Sequence, residues 1–316
     1  MIVFPRILLC ALFIIKVTIS YKERAGKIES KCKEYVKYAC DNPPASATST
    51  SKTPPKLDGI INGVTTSLEM LPHMAFVKLF RKVDRESEGI WVKDCSGTLI
   101  SDNFILSAAH CSHDVVRDDP GIFGQVKLGS ASKSFMDRTG ALYEVIEMYV
   151  HPNYSPTDQQ NRNDVLLLKL HRKVKFSPYT RPICLNTEFP NNLRKAIVSG
   201  WGEDENGNFP EYLKSASVYI DDEIVKLKCN VALESRSFNS TTEICGGHPI
   251  DITGTSTGDS GGPMQIPMNT GCPNTYEQIC ISARGSKDFK SPMKVNIFTK
   301  VELHLPWIES IVWPDE

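Results

Sequence analysis

From Ile60 onward the chain alternates short apolar runs with turn residues. "FVKLF", "GTLI", "FILSA", "YEVIEMYV", "DVLLLKL", "KAIVSGWG", "SASVYI", "QICISA" and "VNIFTKV" are short, rich in β-branched and aromatic residues, and read as strands. The period changes only at the end, in "VELHLPWIESIVW", where Leu303, Trp307, Ile308 and Ile311 share one helical face. Many short strands closed by one helix predict an all-β barrel or sandwich. There is no internal repeat. Upstream the texture differs. "KERAGKIESKCKEYVKYAC" is charged, and "DNPPASATSTSKTPPK" is a Pro, Ser and Thr linker without apolar periodicity. Residues 21–59 are therefore expected to form a short disordered pro-segment tethered to the folded domain 60–316.

The first twenty residues, "MIVFPRILLCALFIIKVTIS", carry Arg6, an apolar run Ile7–Ile15 and the small residues Thr18 and Ser20. That is the pattern of a secretory signal peptide over 1–20. The uncharged run is too short to span a bilayer, so no membrane anchor is expected. The 316 residues carry a net charge of −1, so no global field recruits nucleic acid or an anionic membrane. Cys10 belongs to the signal, leaving nine cysteines without a CxxC pair. Zinc ribbons are excluded on that spacing, and a secreted chain should use such cysteines as disulfides with at least one left over. No HExxH or third ligand accompanies His110 and His113, so neither a metal nor a cofactor is expected. Asn153 and Asn239 head glycosylation sequons, the first followed by Pro156. Trp91, Trp201, Trp307 and Trp313 read as packing residues.

Three stretches carry chemistry. A serine hydroxyl is a poor nucleophile until a base takes its proton, and the base needs an orienting acid. "LSAAHC" places His110 at the end of an apolar strand. "NRNDVLLLKL" places Asp164 at the mouth of another. "GDSGGP" places Ser260 in a glycine-rich turn where the amides of Gly258 and Ser260 can face one oxyanion.

With these stretches the chain resembles the chymotrypsin-like serine proteases from about Ile60 to Trp313. "IINGV", "HPNYSP" and "VSGWG" add to the likeness, and "LPHMA", "RPICL" and "GGPMQIP" resemble the arthropod snake- and easter-type zymogens. The two cysteines of residues 21–59 are too few for the six-cysteine clip domain of those relatives. The resemblance implies two antiparallel six-stranded β-barrels with the triad His110, Asp164 and Ser260 between them. It also implies a zymogen: cleavage before Ile60 frees an α-ammonium that pairs with Asp259. The residue before that bond is Gly59 rather than Arg or Lys, so the activator should accept small residues or act in two steps. The implied bridges are Cys95–Cys111, Cys229–Cys245, Cys272–Cys280 and a tether from Cys184 to Cys32, with Cys40 the alternative partner and otherwise the odd thiol. The relatives' bridge beside the serine is missing, with Ser256 in place of one partner.

The resemblance also places a substrate pocket along Gly254, Thr255, Ala283, Arg284, Gly285 and Asn296. Trypsin-like relatives carry an aspartate six residues before the nucleophile, where this chain has Gly254. A substrate cation buried without a counter-charge costs several kcal/mol. The uncharged floor, narrowed by Asn296, should thus favour small or medium uncharged side chains, and Arg284 should favour acidic residues further along the substrate. The implied partners are protein substrates, an activating protease and a protease inhibitor. The competing reading is a protease homologue that binds partners without cutting.

Overall fold

The computed structural model describes residues 26–45, 64–81, 90–113, 115, 122–157, 162–233, 238–285 and 294–314. The expected signal segment 1–20, the linker from residue 46 and Ile60 lie outside the described residues. Strand β1 (Val64–Thr65) precedes six strands that close on one another: β2 (Met74–Arg81), β3 (Ile90–Leu99), β4 (Phe104–Ser107), β5 (Gly124–Leu128), β6 (Ala141–Val150) and β7 (Leu166–Leu170). Their order around the barrel is β2-β3-β4-β7-β6-β5, antiparallel throughout. The second half contains β8 (Cys184–Leu185), β9 (Lys195–Gly200), β10 (Lys214–Tyr219), β11 (Glu243–Gly247), β12 (Pro263–Pro267), β13 (Tyr276–Gly285) and β14 (Val295–Lys300). Strands β10-β11-β14-β13-β12-β9 close through the β9–β10 pairing, while β1 and β8 extend the sheet outside the ring. These are the two antiparallel six-stranded barrels that the family resemblance implied.

Continuous apolar runs mark the strands buried on both faces. In β7, "LLLKL", every leucine is buried and only Lys169 reaches outward, where it pairs with Glu147 of β6 at 2.6 Å. The closing helix, α3 (Leu305–Val312), buries Leu305, Ile308 and Val312, with Trp307 and Ile311 partly covered. Its buried face is rotated from the expected one because Leu303 belongs to a preceding 3-10 turn and is exposed. A further helix, α2 (Glu223–Leu233), was not expected. It buries Val225 and Cys229 but exposes Ile224 and Leu227, so apolar residues lie on both sides and leave no clean stripe to read.

Two expectations about the N-terminal segment are corrected. Residues 26–41 are not disordered; they form helix α1. Ile28, Cys32, Tyr35 and Ala39 fall at i, i+4, i+7 and i+11 on the face turned to the body, and Ile28, Tyr35 and Ala39 are buried there. Tyr35 and Tyr38 meet Phe176 edge-on, with ring centroids 6.1 and 5.7 Å apart. Burying an isoleucine and a tyrosine stabilises such docking by about 1.5–3 kcal/mol each. The second correction concerns the bridges. Cys32–Cys184, Cys95–Cys111 and Cys229–Cys245 form as expected, but Cys272 bonds to Cys40 rather than to Cys280. Cys280 is a buried free thiol. It lies mid-strand in β13 with its side chain in the second barrel core, packed with Met264 and Phe298, while Cys272 sits in the turn before β13. Helix α1 is therefore fastened to the body at two points.

Candidate active site

The antiparallel pairing of β4 with β7 sets Ser107 opposite Leu166, so the residues just after β4 and just before β7 are neighbours. His110 occupies the 3-10 turn Ala109–Ser112 that follows β4, and Asp164 immediately precedes the β7 run. The Asp164 carboxylate is fully buried. Its Oδ1 accepts the backbone N–H of His110 at 2.8 Å, and its Oδ2 lies 2.7 Å from His110 Nδ1. A carboxylate only accepts, so Nδ1 donates in this bond. The Cys95–Cys111 bridge pins the same turn to β3.

Ser260 lies in the turn between Gly258 and β12, at the junction of the barrels. Its carbonyl accepts the Ser96 N–H of β3 at 2.8 Å, and Ser96 Oγ donates to the Gly258 carbonyl at 3.1 Å. Gly258 and Gly261 hold left-handed backbone, with φ of 95° and 82°. A β-carbon on Gly261 would stand 2.1 Å from Ser107 Oγ and 2.9 Å from the Ala108 nitrogen. The serine turn thus packs directly on the strand end that leads to His110.

Asp259 anchors this turn from beneath. It is fully buried, and its two oxygens accept the N–H groups of Gly202 and Ser256, each at 2.8 Å. Burial pushes its carboxyl up to about 7, against which the two amides and the fields of Lys294 and Lys214 act only in part. Gly200 and Gly202 wall it in: a β-carbon on either would come within 2.2 or 2.5 Å of the carboxyl group. Ser96, Gly200 and Gly202 carried no chemical signature in sequence. Only the "GWG" repeat of glycine around Trp201 could have pointed to a crowded backbone.

Beside Ser260 opens a cavity of about 200 Å³. Of the six pocket residues expected from sequence, Thr255, Ala283, Arg284, Gly285 and Asn296 line it, and Gly254 does not. Lys93, Ser256, Thr257 and Ser282 complete the wall. The Asn296 amide crosses the floor: its Nδ2 donates to the Thr255 carbonyl at 2.9 Å, and its Oδ1 accepts the Thr255 N–H at 3.1 Å. A β-carbon on Gly254 would lie 2.3 Å from that Oδ1. Glycine at 254 is thus a steric consequence of asparagine at 296. Arg284 neither points into water nor offers an uncompensated charge; its guanidinium grips Glu243 through both Nη atoms. Of the two sequon residues, Asn153 is exposed, whereas Asn239 is half-buried with Oδ1 accepting the Thr241 N–H at 3.0 Å.

The model of the family described as "Trypsin" matches residues 60–308. Mouse cathepsin G is 29% identical over 254 residues, covering 79% of this chain and 84% of its own. The Spaetzle-processing enzyme of Drosophila melanogaster is 26% identical over 286 residues, 81% of this chain and 67% of its own. Among solved structures, neuropsin, a serine protease expressed in the limbic system of mouse brain, superposes with a TM-score of 0.61 at 25% identity. That superposition covers 80% of this chain and all of neuropsin.

Proposed function

Because the chain belongs to the trypsin family of serine proteases, we propose that it is a secreted endopeptidase, made as a zymogen, that cuts after small or medium uncharged side chains. The observation that carries this reading is the His110–Asp164 couple, oriented through two hydrogen bonds beside the Ser260 turn. Ser260 Oγ attacks the scissile carbonyl while His110 Nε2 takes its proton, and Asp164 stabilises the imidazolium. The amides of Gly258 and Ser260 hold the oxyanion. His110 then returns the proton to the leaving amine, and water releases the acyl group by the same route.

Activation follows from Asp259. Cleavage before Ile60 creates an α-ammonium, and a buried carboxyl pushed up to about 7 is a site that a cation relieves. The uncut chain is expected to be nearly inactive. Gly59 before the bond calls for an activator with a small-residue preference or a two-step trimming. A Drosophila relative is named for processing one protein, which supports limited cleavage of a protein substrate; an activating protease and a protease inhibitor are the further partners of this reading.

The pocket preference rests on the floor, where Asn296 closes the space that a charged side chain at 254 would need. The test is labelling of the cleaved chain with a fluorophosphonate, followed by peptides differing only in Arg, Lys, Phe, Leu or Ala at the cut site. Wild type is expected to label and to prefer Ala and Leu, and Ser260→Ala to do neither. A folded, cleaved chain that never labels at Ser260 is the binding homologue. Selective cutting after Arg or Lys overturns the pocket reading alone.

A further inference from the structure

The arginine on the pocket wall raises a question that the floor does not answer. Arg284 lines the cavity near the end of β13, just past a register shift between Ser282 and Arg284. Its Nη1 donates to Glu243 Oε1 at 2.5 Å and its Nη2 to Oε2 at 3.0 Å, a parallel fork on one carboxylate. The two partners differ in where they sit. The Arg284 side chain is 13% exposed and faces the cavity, whereas the Glu243 side chain is 2% exposed and is absent from the lining. Glu243 is held further by the Asn239 N–H, which donates at 3.1 Å to the Oε2 that also receives Nη2. A carboxylate buried behind a cation at a pocket wall is costly unless the two charges cancel.

We infer that Glu243 determines the charge selectivity of this pocket: it neutralises the Arg284 guanidinium from behind, so the site turns away substrate side chains of both signs. This rests on the protease reading above. A substrate Lys or Arg would lose its water against a wall that already presents a guanidinium, with no acid at 254. A substrate Asp or Glu would have to share a guanidinium already paired, and would lie close to a second carboxylate. Uncharged side chains meet neither penalty. Glu243 is a positioning residue here, since it acts on substrate only through Arg284. The role reverses in both directions when one charge is removed, which a merely structural pair would not do.

The experiment uses the chain cleaved before Ile60 in the Ser260→Ala background, so that binding is read without turnover. Three decapeptides with Asp, Ala or Lys at the cut position are titrated by fluorescence anisotropy. Against Ala, Glu243→Gln is expected to raise relative binding of the Asp peptide about tenfold or more, the scale on which unpaired buried charges discriminate ligands. Arg284→Gln is expected to raise the Lys peptide similarly, and the double variant to return both ratios to those of wild type. Removing one partner of a buried pair can prevent folding, so circular dichroism accompanies each titration. Glu243→Asp, which keeps the charge but withdraws it by one methylene, then serves instead, with a shift of about threefold in the same direction. Unchanged ratios in folded variants overturn the inference. Fluorophosphonate labelling of the chain with Ser260 intact separates the two claims. Labelling without a ratio shift sinks the charge pair alone, and a ratio shift without labelling sinks the protease reading alone.

Discussion

Placing the missing acid at position 254 should not by itself make this pocket accept Arg or Lys. In Gly254→Asp the new β-carbon would stand 2.3 Å from Asn296 Oδ1. Ordinary contact begins near 3.4 Å, so the amide must move by about 1 Å or more. Asn296 is buried, and displacing it breaks both hydrogen bonds to Thr255, at 2.9 and 3.1 Å. Leaving buried polar groups unpaired costs about 1–3 kcal/mol each, so the single variant should lose roughly 2–6 kcal/mol. Asn296→Gly removes the obstruction at a lower cost, about 1–3 kcal/mol, because the opened floor can admit water to the Thr255 groups. The double variant Gly254→Asp/Asn296→Gly should therefore recover stability relative to Gly254→Asp and acquire cleavage after Arg and Lys. Urea denaturation gives the stabilities, and kcat/KM on matched Ala, Leu, Lys and Arg peptides gives the preferences. A Gly254→Asp single variant as stable as wild type and selective for Arg would refute the steric account of the floor.

Three further outcomes follow from the same geometry. The carboxyl of Asp259 titrates at about 7 in the folded chain against an ordinary 3.8, so between those values the folded state holds a proton that the unfolded state has released. That group favours folding at low pH, and its contribution is withdrawn as pH rises through 7, by about 4 kcal/mol at most. The uncut Asp259→Asn chain should accordingly lose less stability than wild type between pH 5 and pH 8, and equal losses in urea titrations would contradict it. Gly202→Ala drives a methyl group to within 2.5 Å of the Asp259 carboxyl and should abolish fluorophosphonate labelling while lowering stability by about 2–4 kcal/mol; normal labelling speaks against the crowding. A Cys40→Ala/Cys272→Ala chain, cut before Ile60, should still run as one species on a non-reducing gel through Cys32–Cys184, and separate pieces would disprove that bridge.

The strands were legible because they rest on local pattern, whereas their closure into two six-stranded barrels followed only from the family resemblance. Alternating or continuous apolar runs mark strands, and His110, Asp164 and Ser260 each sit in a stretch that ends or begins one. All nine strand segments read from the sequence are present, whereas "GQVKL" in β5, "EICGG" in β11 and "PMQIP" in β12 carry no strand signal because Gly, Pro and polar residues interrupt their periodicity. Helix α1 was missed for a different reason. Its apolar face includes Cys32 and the small Ala39, and the charged residues between them made the segment look like a solvated tail. Counting cysteine as apolar would have given the spacing 28, 32, 35, 39. The pairing of Cys272 depended on where that helix docks, which no local pattern carries. The Glu243–Arg284 pair was equally invisible, since it joins residues 41 positions apart on β11 and β13, two strands separated by β14. Gly254 was recognised as an absent charge, but its cause lay in Asn296, which only the folded register sets beside it.

The two-point attachment of α1 has a practical side for anyone producing the protein. A recombinant chain begun at Ile60, where the match to the trypsin family begins, would leave Cys184 and Cys272 without their partners. With Cys280 that makes three thiols in an oxidising host, two of them able to capture each other or a bridge from the barrels. It would also uncover the apolar seat where Ile28, Tyr35 and Ala39 rest, including the Phe176 ring. Aggregates and scrambled disulfides are the expected harvest. A chain that starts ahead of residue 26 and carries a designed cutting sequence before Ile60 would keep the seat filled and release the same new terminus.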